Sequence, residues 1–320
     1  MIVSRAPMLL TFLGNSGYTK KVVSTTIDKY SYAVVNQTPL VNSISARYSM
    51  SELVDDIKSL KNDRIRNSLE ILGVLNNIEV GTFASFPLEV GFSSRASYSA
   101  SVLIALMNFK LGFVESKKLC GLIESVEKLS GSVVSNHTPH AIVNGGLAKY
   151  IFDKEKVVIS APIFLNFTTK HELENSMVIY HVSTSKPIKM SQEKHNIDPK
   201  EADHLDNLID VFANSLEIGD LPQIAYWLHK GWLVEKKVGF NIPNKIVDSA
   251  FEIGFQNGAL GGKYIGDIYS GCLLFINQDN RQGMSKAIKK HFINNNIKKY
   301  HEYSIKLTQS GTNILLDTER

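Results

Sequence analysis

This 320-residue chain is poor in the residues and runs that mark many enzyme classes. It has two cysteines, Cys120 and Cys272, far apart in sequence. That excludes a disulfide framework and a thiolate metal cluster. It fits a reducing compartment, so a cytoplasmic location is expected. There is no HExxH, no CxxC pair, no GxSxG and no GxxxxGK[ST], and the chemistries those motifs carry gain no support. No apolar run approaches the roughly 18 residues of a membrane span. The opening "MIVSRAPMLLTFLG" has too short an apolar run, interrupted by Thr11, for a signal peptide and reads as a first strand. Sequons at Asn36, Asn136 and Asn166 are put down to chance without a secretory signal. A net charge of +4, with scattered lysines, is too weak to imply nucleic acid. Neither a nucleic-acid nor a membrane partner is expected.

What is present is ordinary globular material: 43% hydrophobic and 21% charged residues, enough for true cores. Strands are expected in "TTIDKYSYAVVN", where Tyr30, Tyr32 and Val34 recur at period two. Within 51–73 Ile65, Leu69 and Leu72 share a helical face, with Gly73 as a stop. "NIEVGTFASF" reads as a strand, 97–109 and 115–130 as helices, and "GSVVSNHTPHAIVNGG" as a loop. Strands follow near "LAKYIF", "KVVISAPIFLNF" and "MVIYHVST". Helices are expected over 200–217, 220–238, 243–257 and 281–295, with strands at "SGCLLFIN" and "YHEYSIKL". The polar segment 168–203 is the natural junction, so we expect one lobe over 1–180 and a second over 181–320.

The stretch "SFPLEVGFSSRASYSAS", residues 85–101, has the small residues of a phosphate-binding loop running into a helix. Ser93, Ser94 and Ser97 suit a helix N-terminus, whose backbone N–H groups bind anions. Together with "SRAPMLLTFLGNSG", "RYSMSELVDDIKSLKNDRIRNSLEILGV", "HAIVNGGLAKYIF" and "LHKGWLVEKKVGFNIPNKIVDSAFEIGFQNGALGGK", it resembles the GHMP kinases, and among them the bacterial D-glycero-D-manno-heptose 7-phosphate kinases. The resemblance implies an α+β fold of two packed lobes. The N-terminal lobe would be like ribosomal protein S5 domain 2 and the C-terminal lobe ferredoxin-like, with a nucleotide cleft between them.

The chain departs from the family pattern in each motif. In "PMLLTFLGNSGY", Leu9 takes an arginine position, Asn15 and Ser16 take glycines, and the acid is missing. Asn15 and Ser16 are the implied substrate residues, with Lys263 a further candidate for the sugar or phosphates; a surface lysine is the alternative. In the phosphate loop the implied nucleotide ligands are Glu89, Gly91, Phe92, Ser93, Ser94 and Arg95. Arg95 falls where the family has a metal-ligating serine, and Glu89 and Ser93 replace glycines. In "SNHTPH", Thr138 replaces the catalytic aspartate, and no acidic residue occurs from Lys128 to Phe152. Glu127 matches the family's metal-ligating glutamate, eleven positions before 138.

ATP is the cofactor the resemblance implies, while a permanent cation at 95, able to pair with Glu127 or Glu124, argues against Mg²⁺. The expected function is that of a heptose-phosphate-kinase-like protein with impaired or lost phosphoryl transfer, a pseudokinase that binds a nucleotide, a sugar phosphate or a protein partner. Two alternatives stand beside it. One is an active ATP-dependent sugar kinase with His137 as substitute base. The other is a structural or regulatory protein with a filled cleft. A His137–His140 metal pair has no third ligand near it in sequence.

Overall fold

The structure is a computed structural model describing residues 1–38, 42–86, 91–152, 158–183, 198–238, 245–266, 270–297 and 299–318. Two sheets organise it. In the first, β1 (Ile2–Leu13) and β2 (Lys21–Gln37) form a long antiparallel ribbon. The early part of β2 pairs with β6 (Leu147–Phe152), its later part with β5 (Ile78–Ala84), so the sheet forks along this strand. β3 (Ile44–Arg47) runs parallel to β5 and antiparallel to β4 (Ser51–Val54), and β7 (Val158–Pro162) closes the other branch on β6. The last strand, β12 (Asn313–Asp317), returns to pair with β1. The second sheet is antiparallel, in the order β11 (Lys299–Tyr303), β8 (Met177–Ser183), β10 (Ser270–Ile276), β9 (Gly261–Gly266).

Helices cover both sheets. α1 (Asp63–Leu72), α2 (Ser94–Leu111), α3 (Ser116–Leu129) and α4 (His137–Asn144) share a core with one face of the first sheet. α6 (Pro199–Ile218) and α7 (Leu221–Val238) share a second core with the other face of β1 and with β8 and β10. α8 (Lys245–Gln256) and α9 (Arg281–Asn294) cover the far face of the second sheet. α5 (Phe167–Ser176) leads into β8.

β1 serves two of these cores at once. Ile2, Ala6 and Leu9 face the helices α1–α4, while Met8, Leu10 and Phe12 face α6 and α7. Successive strand side chains point to opposite faces, and the β1–β2 register slips between Pro7 and Met8, where the parity facing each core changes. The strand thereby delivers its end, Gly14 onward, to the junction of the two layers. Among the described residues no helix is long and apolar enough to cross a membrane. The two cysteines are free and buried, as packing residues rather than ligands.

Most elements fall where the sequence pattern places them. α1 ends as read, on Gly73 in the left-handed region at φ 62°. Three differences stand out. "SNHTPHAIVN" is not wholly loop: α4 begins at His137. α5 falls in a stretch read as strand and polar junction; Leu173 is its one fully buried large apolar side chain. The closing strand read at "YHEYSIKL" is followed by another, β12.

Candidate functional site

The three motif stretches converge. A cleft of about 500 Å³ is lined by Asn15 and Tyr18 after β1, by Gly91 and Ser93–Ala96 at the start of α2, and by Glu127 at the end of α3. Residues 131–135, His137 and Thr138 at the start of α4, and Trp232, Glu235 and Lys263–Gly266 from α7 and β9 complete it. Of the residues proposed from sequence, Asn15, Gly91, Ser93, Ser94, Arg95, Glu127, His137, Thr138 and Lys263 therefore share one cavity. Two do not line it. Glu89 lies outside the described residues. Phe92 turns into the core, fully buried and edge-on to Phe86 at 5.5 Å, while its carbonyl accepts a hydrogen bond from the Leu9 amide.

The α2 end presents positive charge to the cleft. Ser93 sits in the left-handed region at φ 49°, ψ 30°, a conformation costing a non-glycine residue about 1–2 kcal/mol. The chain there turns sharply into an 18-residue helix whose first N–H groups lack acceptors within the helix. The partial positive charge of that terminus and the exposed Arg95 face the cleft together. Gly91 has a second reason to be glycine. At φ 82° a Cβ would stand 2.8 Å from Gly266 Cα, so the loop and β9 approach backbone to backbone.

Sequence reasoning found Glu127 but not its partner. Its carboxylate is fully buried and held by the Arg64 guanidinium, Nε to Oε1 and Nη2 to Oε2, both at 2.9 Å. Ser99 Oγ donates to Oε1 at 2.5 Å, and Arg64 Nη2 also donates to Ser132 Oγ at 2.7 Å. Of the roles the sequence left open for Arg95, pairing with Glu127 is taken instead by Arg64. Planar two-point contact of this kind is the strong form of an arginine–carboxylate pair.

A second buried pair lies across the cleft. Lys263 is not a surface lysine: its Nζ donates to Glu235 Oε2 and to the Phe12 carbonyl, each at 2.8 Å. Glu235 Oε1 accepts from the Gly14 amide at 2.7 Å. Both side chains are buried, each about 5% exposed. Glu235 escaped the sequence reading because nothing nearby in the chain marks it.

The third motif is tied to the first by hydroxyls. Ser16 Oγ and Ser135 Oγ lie 2.7 Å apart, and Ser135 Oγ lies 2.7 Å from His137 Nδ1. Ser16 Oγ also accepts from the Asn136 amide, so Ser16 braces α4 rather than opening onto the cleft. Asn15 uses its side-chain oxygen on the Gly17 amide, within its own turn. His137 is buried beside Tyr150, and its Nε2 finds no hydrogen-bond partner. Burial, with a smaller contribution from His140, pushes its pKa down to about 3. The ring is thus neutral near pH 7 and only feebly basic. His140 is also lowered, chiefly by burial. No group of three or more His, Cys, Asp or Glu side chains placed to hold a metal occurs among the described residues.

No family model matches the chain. The D-glycero-alpha-D-manno-heptose 7-phosphate kinase of Campylobacter jejuni is 22% identical over 219 residues, 65% of this chain and 64% of that protein. Among solved structures, the D-glycero-D-manno-heptose 1-phosphate kinase of B. thetaiotaomicron superposes with a TM-score of 0.75 at 17% identity, covering 99% of both chains. Lactococcus lactis galactokinase, solved with galactose, gives 0.75 at 15% identity over 98% of this chain and 94% of its own. The chain has the two-lobed GHMP kinase fold. In it the stretch 91–101 is the turn into α2 and the first part of that helix, 7–18 is the second half of β1 and the turn after it, and 135–140 runs into the start of α4. The GHMP kinase fold thus accounts for three sequence-distant motifs meeting in one cavity.

Proposed function

We propose that this is a sugar-kinase-like protein that keeps an anion-binding cleft and has lost efficient phosphoryl transfer. Its ligand is a nucleotide, with ATP the first to test, or a sugar phosphate. One observation carries the reading: among the described residues both carboxylates lining the cleft, Glu127 and Glu235, are held in buried ion pairs, and position 138 is threonine. Phosphoryl transfer relies on positioning and on charge that neutralises phosphate oxygens. A base that takes the acceptor's proton contributes about 10²–10⁴ in rate, and threonine cannot supply one. The ligand class is supported by the α2 terminus with Arg95, and by relatives named for kinases of heptose phosphates. We assign residues 1–180 to the first lobe and 181–320 to the second, with β12 joined to the first.

A second reading, an active kinase with His137 as base, draws support from the Ser16–Ser135–His137 chain of hydroxyls. The weak basicity of that ring argues against it. A filled cleft, the premise of a purely structural role, is at odds with a cavity of about 500 Å³, which is ligand-sized.

The test is a melting-temperature titration with ATP, ADP and hexose and heptose phosphates, alongside an assay of ADP release. We expect stabilisation by one of these anions and no sugar-dependent ADP release. Sugar-dependent release that vanishes in His137→Ala would overturn the proposal in favour of the active kinase.

A further inference from the structure

We infer that the Arg64 guanidinium, bonded to Glu127 from behind the cleft wall, stands there in place of the divalent metal that the GHMP fold implies, and that it excludes that metal. A carboxylate offers about four acceptor positions. On Glu127 the guanidinium fork takes two and Ser99 Oγ takes a third. Mg²⁺ demands near-octahedral oxygen ligation at about 2.0–2.1 Å and gives up water reluctantly. A fully buried carboxylate already bonded on both oxygens does not fit that ion. A permanent positive charge beside it adds repulsion that deprotonation cannot relieve.

The arginine is also fixed in advance. It lies in the first turn of α1, whose cap is Asn62, with Oδ1 accepting from the Ile65 amide at 3.0 Å. The same Asn62 donates through Nδ2 to the Tyr98 hydroxyl on α2 at 3.0 Å, and Tyr98 reaches Thr82 on β5 at 3.1 Å. These bonds hold the start of α1 against α2, which brings Ser99 to the same carboxylate. Ser132, on the cleft wall, accepts a third hydrogen bond from the guanidinium, whose Nη1 lies 3.6 Å from Asp63 Oδ1. The cation is therefore part of the folded frame, whereas a metal would arrive with the ligand.

The consequence is a cleft whose negative charge at Glu127 is cancelled before any ligand enters. Its field at α2 then favours anions that carry no bound Mg²⁺. This rests on the fold assignment of Glu127 and not on the loss of catalysis.

Mn²⁺, whose electron paramagnetic resonance signal is lost on binding, is the probe, used without nucleotide on the full chain. We expect no Mn²⁺ retention by the wild type. Arg64→Met should gain at least tenfold in Mn²⁺ affinity and be stabilised by the ion. The double variant Arg64→Met/Glu127→Gln should show neither effect. If Arg64→Met does not fold, Arg64→Gln, which keeps a donor to Glu127, replaces it with the same expectation. Retention by the wild type that disappears in Glu127→Gln would overturn the inference. So would failure of both wild type and the Arg64 variant to bind, since Arg64 would then not be what excludes the ion. Turnover is not read here, so ADP release in the preceding assay would sink the proposed function and leave this result standing.

Discussion

Glu127 and Glu235 look into the same cleft from opposite lobes, and their charges are balanced by different means. Glu127 is closed off within the first lobe, with Arg64 on α1 and Ser99 on α2 as partners. Glu235 is paired with Lys263 inside the second lobe, and the pair then reaches out to the first. Each member also bonds one backbone atom at the end of β1, the Gly14 amide and the Phe12 carbonyl. The arginine fork saturates a carboxylate in one plane, while the lysine, a point charge with three donors, divides itself between a carboxylate and a carbonyl. Equal net charge thus does two jobs: one pair keeps a divalent cation off Glu127, the other fastens the two walls of the cleft.

The largest effect that would break this contrast comes from Lys263→Met. It leaves Glu235 charged, buried and unpaired, and should cost about 3–5 kcal/mol in urea unfolding. Amide exchange at Gly14 and the turn to Thr19 should accelerate in this variant. Arg64→Met should cost a similar amount without moving exchange at those amides. If both variants loosen the turn equally, the division of labour is wrong.

His137 sharpens the comparison next, as a titratable group in the same cleft with no counter-charge. Its folded pKa lies below the ordinary value of about 6.5. The sign follows: the neutral ring is favoured by the fold, so this contribution is complete above about pH 6.5 and fades as pH falls towards 3. Over that window the wild type should lose up to about 1.4 kcal/mol per pH unit more than His137→Asn, read from denaturation curves at several pH values. Parallel pH profiles for the two proteins would refute it.

The smallest test concerns a lobe contact that uses no charge. Gly91→Ala forces a Cβ onto Gly266 at φ 82° and should cost about 1–3 kcal/mol. A thermal scan showing no change would mean the loop and β9 part easily, leaving the Glu235–Lys263 pair to hold the lobes.

These sites differ in how visible they are in the sequence. The helices carrying Ile65, Leu69 and Leu72, or Val102, Leu103, Leu106 and Phe109, announce themselves by periodicity and are found where expected. The three motif stretches were recognisable as sequence, and they line one cavity. The charge partners were not. Arg64 and Glu127 belong to different helices, and Glu235 and Lys263 to a helix and a strand, so local pattern cannot pair them. α4 was hidden by Asn136, His137, Thr138 and Pro139, residues that favour turns and helix starts. α5 was hidden because its buried face is mostly polar: Thr169 and Ser176 beside Leu173. β12 has no fully buried position, which leaves nothing for a hydrophobic pattern to report.

The return of that last strand to β1 has a consequence in time. Ile2 to Arg5 pair with Asn313 to Asp317, and the Thr318 amide reaches the Met1 carbonyl. At ribosomal rates of about 5–20 residues per second, the open side of β1 stays unpaired for roughly 15–60 s after its synthesis. An unpaired strand edge is a template for other chains. β1 is thus closed only once β12 has been made, and until then its open side must stay unattached to neighbouring chains.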